Sequence, residues 1–200
     1  MMEMVTLDKL RELAELARPM LELKAQQAGH DTIKLYLHWT AGWYDQFFDD
    51  YHIQIDGDGL VYITTDDLSE TLNHTWERNT GGIGIALCCA AGADTVDLGE
   101  APPTEEQIES MAKVVAVLCR AFSLQISRFN VMTHGEAADN EDDDYHDECD
   151  LYGPKNGCER WDLEYLGTAD SPIYNPWSTS GSRGGDVIRG KAAWYSQNGY

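Results

Sequence analysis

The most regular hydrophobic pattern lies in the middle of the chain. A capping-box sequence over 104–107 precedes apolar residues that recur every three or four positions on one helical face. The members of this face are Ile108, Met111, Val115, Leu118, Cys119 and Phe122. A second helical repeat follows Thr6, a potential N-cap, and Pro19 should kink or split that helix before Gly29. The pattern therefore predicts a strong central helix and an N-terminal helix within 6–29.

Short apolar runs predict the strands. The runs over 33–37 and 83–89 are almost continuously apolar, which is typical of buried strands. Two further runs, 51–55 and 60–63, flank two Asp-Gly pairs, which favour the positive φ of a hairpin turn. A last short strand is expected over 129–132. Strands that alternate with helices predict an α/β domain.

Two parts of the chain lack such periodicity. Residues 139–157 include a dense acidic run, and we interpret them as an inserted surface loop. After Leu166 the composition shifts to Gly, Ser, Pro and Asn, with apolar residues again near the end. We predict one domain over 1–166, with an N-terminal helix, and a partly ordered C-terminal extension over 167–200.

The charge of the chain narrows the choice of partners. It has 35 acidic and 14 basic residues, a net charge of -21. Such a charge repels nucleic-acid phosphates and anionic membrane surfaces. No apolar run approaches the roughly 18 residues of a membrane span, and the chain starts with an acidic, amphipathic segment. We expect no nucleic-acid partner, no membrane insertion and no signal peptide.

The cysteines fall into two groups. Cys88, Cys89 and Cys119 lie in apolar segments and are expected in the core. Cys149 and Cys158 lie in the polar loop, where they could form a disulfide or bind a metal. The sequence alone leaves both possibilities open.

Two histidines directly follow predicted strands. His38 comes after the run 33–37, and His134 comes just after the run 129–132. Hydrolytic zinc sites use three protein ligands, commonly imidazoles with a carboxylate or thiolate, and keep one position open. Two strand-end histidines can supply two such ligands, although their spacing alone does not identify a metal site.

Short sequence blocks around these histidines occur in a specific order. The blocks are His38 to Gly42, Tyr51 to Gly59, His74, Asn79 with Gly82 to Ile85, and Thr133 to Glu136. In this order they resemble the type 2 N-acetylmuramoyl-L-alanine amidases, a family that includes phage lysozyme-type amidases and peptidoglycan recognition proteins. The resemblance covers 33–166. It implies a central mixed β-sheet flanked by helices, a Zn2+ cofactor, and hydrolysis of the amide between N-acetylmuramic acid and L-alanine in peptidoglycan.

The resemblance also assigns the metal ligands. His38 and His134 match the two histidine ligands, and Asp162, two residues after Arg160, matches the third. The acidic insertion places Asp162 farther along the chain than is usual in the family. Cys158 is the main alternative, because thiolates bind zinc well. Weaker alternatives are His146, Cys149 and Asp150.

Further site residues follow from the same resemblance. Tyr51 and Arg160 match a tyrosine and a cation that stabilise the oxyanion. Other members carry a glutamate after the Gly-Ile pair, where this chain has Ala86. The resemblance implies substrate contacts by Thr40, His74 and Asn79. Glu136 is expected to tie its loop, and His52 to be buried, since it alternates with Tyr51 along a strand.

The resemblance predicts a cell-wall-lytic enzyme of the phage endolysin or prophage type. It would act on the cell wall after release or after delivery by other machinery. Two alternatives stay open: a peptidoglycan-binding module that has lost catalysis on the same fold, and a zinc peptidase that cuts within the stem peptide. The sequence does not predict an oligomeric state.

Overall fold

The computed structural model describes residues 2–142 and 152–200, and within them six strands form one sheet. The strands are β1 (Glu3–Met4), β2 (Lys34–Trp39), β3 (Ile53–Ile55), β4 (Val61–Ile63), β5 (Gly82–Leu87) and β6 (Val131–Thr133). Their order across the sheet is β1-β4-β3-β5-β2-β6. The β1/β4 and β4/β3 pairs are antiparallel, whereas the other three pairs are parallel. The predicted mixed sheet and the predicted β3–β4 hairpin are confirmed.

The helices of the described ranges pack around this sheet. They are α1 (Leu7–Gln27), α2 (Glu105–Phe122), α3 (His134–Ala138) and α4 (Gly184–Gln197). Helix α2 begins at a complete capping box, in which Thr104 and Gln107 each bond the other's backbone N–H. The α/β fold class is confirmed. None of the helices described combines the length and the apolar composition that crossing a membrane requires.

A kink or a split was predicted at Pro19; helix α1 runs through this proline as one continuous helix, so the split is wrong, whereas the kink stays a prediction. A proline inside a helix costs about 3 kcal/mol, because it removes a hydrogen bond and crowds the preceding turn. The buried face continues on both sides, with Ala17 before the proline and Leu21 after it. We attribute the unbroken helix to this packing, which offsets the local cost.

The core is continuous across the sheet and helices. Strands β2 and β5 are buried along their whole length, as their apolar runs predict. Cys88, Cys89 and Cys119 are buried thiols, which confirms their expected place in the core. Ile188 and Ala192 of α4 belong to the same core cluster as the central helix α2. The division into 1–166 and 167–200 stays a prediction.

Candidate metal centre

Two histidines lie side by side at the carboxyl ends of two neighbouring strands. Strands β2 and β6 are parallel neighbours, with Leu37 opposite Thr133 in their register. His38 follows Leu37 and His134 follows Thr133, so the two side chains lie at the same end of this strand pair. Their ring centroids are 4.7 Å apart, with the rings nearly perpendicular. Parallel pairing thus brings together two histidines that are far apart in sequence.

The turn at His134 is fixed by a second capping box. The Thr133 hydroxyl accepts from the Glu136 backbone N–H at 3.1 Å, and the Glu136 carboxylate accepts from the Thr133 N–H at 2.9 Å. Glu136 is fully buried. The expected role of Glu136 in tying this loop is confirmed, and the two bonds set the direction in which His134 leaves the strand.

Asp162 bridges the two histidines. Its Oδ2 lies 3.1 Å from Nδ1 of His38, and its Oδ1 lies 3.4 Å from Nδ1 of His134. One possible ligand atom from each of the three residues lies within 4.8 Å of the others. The three side chains therefore converge closely enough to surround one metal ion.

Aromatic packing positions the segment that carries Asp162. The Trp161 ring makes an edge contact with Trp39, at 5.2 Å between centroids, and another with Tyr174 at 6.1 Å. Because Trp39 directly follows His38, this contact connects the Asp162 segment to strand β2. No role was predicted for Trp161, although its aromatic side chain beside Asp162 was the available signal.

The chain between His134 and Asp162 contains the acidic insertion, and its two described ends are tied together. The Lys155 backbone N–H donates to Asp139 at 3.1 Å, and the Lys155 ammonium group lies 2.7 Å from Glu141. The chain therefore returns to α3 before it reaches Asp162. Residues 143–151 lie outside the described residues. They include the candidate ligands His146, Cys149 and Asp150. The possible disulfide between Cys149 and Cys158 is therefore outside the description as well.

The pKa shifts of His38 and Asp162 leave both side chains in forms that can bind a metal ion. Burial lowers the pKa of His38 below its ordinary 6.5, while the hydrogen bond with Asp162 opposes this effect. Burial by itself would raise the pKa of Asp162, but the adjacent His134 and His38 outweigh it and hold that pKa well below its usual range. A neutral imidazole and an ionised carboxylate are the forms that bind metals.

Tyr51 and Arg160 border a cleft of about 310 Å³ whose lining includes His134 and Asp162. The Tyr51 ring lies 5.1 Å from the His38 ring, centroid to centroid. Burial, and then the negative charge of Asp162, raise the pKa of Tyr51, so its phenol stays an O–H donor at neutral pH. The Arg160 guanidinium lies 3.4 Å from Glu159 and over the Tyr152 ring. The structure thus places both predicted catalytic residues at the cleft.

The predicted substrate-binding residues occupy different environments. Thr40 lines the cleft, and its hydroxyl accepts from the Gly42 backbone N–H at 3.2 Å. His74 is buried, with a ring 5.6 Å from that of His38. Asn79 accepts hydrogen bonds from the backbone N–H groups of His74 and Thr75, at 3.0 and 2.7 Å. Asn79 therefore has a structural role, and the substrate contacts of all three residues stay predictions.

Two other candidates have hydrogen-bond partners outside the three converging side chains. Both ring nitrogens of His52 have backbone partners, since Nδ1 accepts from Gly84 N–H at 3.1 Å and Nε2 lies 2.9 Å from the Glu70 carbonyl. The expected burial of His52 is confirmed. Cys158 Sγ lies 3.3 Å from the Pro154 carbonyl oxygen, and among the described residues it is not part of the converging group.

Arginines from the C-terminal segment hold the backbone around the site. Arg189 of α4 donates to both Glu136 oxygens at 2.7 Å and to the Val131 carbonyl at 2.9 Å. Arg183 donates to Glu164 at 2.9 Å, and Glu164 accepts from the Thr133 hydroxyl at 3.0 Å. Neither arginine was predictable from the sequence, because no local pattern shows which buried carboxylates a distant segment will contact.

One of three comparisons with known proteins found a match. The model of one protein family, described as N-acetylmuramoyl-L-alanine amidase, matches residues 22–147, well over half of the 200-residue chain. Searches of curated proteins and of solved structures returned no match. The matched range contains His38 and His134 and ends before Asp162.

Proposed function

This chain belongs to the N-acetylmuramoyl-L-alanine amidase family, and on that premise we propose that it hydrolyses the amide between the lactyl group of N-acetylmuramic acid and L-alanine in peptidoglycan. The observation that carries the proposal is the convergence of His38, His134 and Asp162 beside a cleft. Action on the cell wall, after release or after delivery by other machinery, is part of the same proposal.

The donor set fits Zn2+. Two imidazoles and one carboxylate are a common ligand set of hydrolytic zinc sites, and here the carboxylate of Asp162 is ionised between two imidazoles. We therefore assign His38, His134 and Asp162 as the ligands. Zn2+, when bound, supplies a Lewis acid that polarises the scissile carbonyl and lowers the pKa of the attacking water.

Tyr51 and Arg160 would stabilise the charge that develops on the carbonyl oxygen. The Tyr51 phenol is protonated and borders the cleft, so it can donate a hydrogen bond to the oxyanion. Arg160 adds a guanidinium group, which can stabilise negative charge, at the same cleft. Ala86 lies opposite His38 in the β2/β5 register, so this site has no carboxylate at the position where other members carry a glutamate.

The reaction is tested on purified peptidoglycan, with and without a chelator. We expect the zinc-loaded protein to release stem peptides that begin with a free L-alanine amine, and we expect the chelator to stop this release. Mass spectrometry of the products identifies the bond that is cut. Binding without release would favour the non-catalytic module, whereas peptides with internal termini would favour a peptidase.

The ligand assignment is tested by the metal content of variants. We expect the zinc content to fall in His134→Ala and in Asp162→Ala, because each change removes one of three ligands. Cys158→Ala is the matched control and should retain zinc. Retained zinc in Asp162→Ala together with lost zinc in Cys158→Ala would show that Cys158 is the third ligand.

A further inference from the structure

The two ring nitrogens of His38 face different partners. Nδ1 faces Asp162 at 3.1 Å, and His134 also presents its Nδ1 to that carboxylate. Nε2 lies 3.3 Å from the hydroxyl oxygen of Thr75. A neutral imidazole whose Nδ1 lone pair binds a cation carries its proton on Nε2. His38 and Thr75 are both buried, so the Nε2–H of His38 needs a hydrogen-bond acceptor inside the protein. Thr75 Oγ1 is in position to accept this hydrogen bond.

The hydroxyl proton of Thr75 has a second partner. Its oxygen lies 2.9 Å from Nδ1 of His74, a buried imidazole that can accept this proton. If the hydroxyl donated to His38 instead, the His38 proton would sit on Nδ1, where the cation has to bind. With the single hydroxyl proton donated to His74, the Thr75 oxygen is left to accept from Nε2–H of His38.

The backbone under this hydrogen-bond chain is held from two sides. The Asn79 side-chain oxygen accepts from the N–H groups of both His74 and Thr75. On strand β5, a Cβ at Gly84 would come within 2.6 Å of Cγ in the His74 ring, so only glycine leaves room for the ring. The Thr75 hydroxyl is therefore confined to the space between the two imidazoles.

We propose that Thr75 is a positioning residue for the metal centre. Its hydroxyl accepts from Nε2–H of His38 and donates to Nδ1 of His74, and this direction leaves the Nδ1 lone pair of His38 facing Asp162. The inference rests on the zinc site proposed above and extends it to residues that do not touch the ion. The proposal also gives His74 a role, because it orients the Thr75 hydroxyl by accepting its proton.

The first experiment compares Thr75→Val with Thr75→Ser. Valine has nearly the same shape as threonine but lacks the hydroxyl, whereas serine retains it. Competition with a chelator of known affinity should show about 10- to 100-fold weaker Zn2+ binding for Thr75→Val, the usual cost of losing such a supporting hydrogen bond. Thr75→Ser should bind Zn2+ close to wild type. Equal Zn2+ affinity in all three proteins, with a lower melting temperature in Thr75→Val, would leave Thr75 only structural and overturn the proposal.

The second experiment needs no variant. Nitrogen-15 NMR of the zinc-loaded wild type should show His38 with its proton on Nε2 and with Nδ1 bound to the metal. Coordination through Nε2 would overturn the proposal even if Thr75→Val failed to fold. Failure of the wild type to bind Zn2+ would instead refute the proposed metal centre, and the proton of His38 in the metal-free protein would still test the hydrogen-bond chain.

Discussion

From the ion pair between Arg189 and Glu136 we predict how much this contact of helix α4 contributes to the free energy of unfolding. Arg189 donates to both oxygens of Glu136 at 2.7 Å, and Glu136 is fully buried. Arg189→Met would leave that carboxylate with weaker cationic neighbours, the half-exposed Arg128 at 3.6 Å and the guanidinium of Arg183, whose pKa Glu136 helps to raise. Removing one partner of a buried pair costs about 3 to 5 kcal/mol, and we expect the lower end because Arg128 and Arg183 remain.

Urea denaturation measures this effect. A loss of about 3 kcal/mol, at an m-value of about 2 kcal/mol per molar urea, lowers the midpoint by about 1.5 M. Arg11→Met is the matched control, because its partner Asp8 is exposed on the same helix and the pair contributes at most about 0.5 kcal/mol. Adding Glu136→Gln to Arg189→Met should recover part of the loss. A loss below about 1 kcal/mol, or no recovery in the double variant, would refute the reasoning.

Three further predictions follow from single side chains. Tyr51→Phe should lower kcat about 100-fold or more without changing the zinc content, because one oxyanion donor is lost; unchanged kcat would contradict its role. Burial lowers the pKa of His52 to about 4, so the unfolded chain takes up that proton first as the pH falls. About 3 kcal/mol of stability is therefore lost between about pH 6.5 and 4, and denaturation of His52→Gln at both pH values should show a smaller loss than in wild type. Gly84→Ala should destabilise by about 1 to 3 kcal/mol through the clash with the His74 ring, whereas Gly190→Ala, in open space on α4, should stabilise by up to about 1 kcal/mol; equal melting temperatures would contradict both.

Local signals predicted the elements well. The capping box at Thr104 and the Asp-Gly turn after Ile55 act within a few residues, and the structure has α2 and the hairpin where they were expected. Strand β2 extends to Trp39, so His38 lies inside the strand instead of following it. The split at Pro19 was wrong because packing, which is not local, decides whether a helix continues.

The candidate site was only partly predictable for the same reason. The family resemblance named His38, His134 and Asp162, and the structure brings them together. It did not name Thr75 or Arg189, whose contacts with His38 and Glu136 join segments that are distant in the sequence. Side-chain partners of this kind depend on the completed fold, and a sequence pattern carries no signal for them.

The tie between Lys155 and α3 has a consequence for how related chains can vary. Because Asp139 and Glu141 hold Lys155 at the base of the insertion, the length of chain between these ends does not set the place of Asp162. In general, each doubling of the number of residues that join two fixed ends costs only about 0.6 kcal/mol. Evolution can therefore change the number of residues in this insertion at little thermodynamic cost. Among relatives, the residue that corresponds to Asp162 is better sought by a basic residue two positions before it than by its distance from the residue that corresponds to His134.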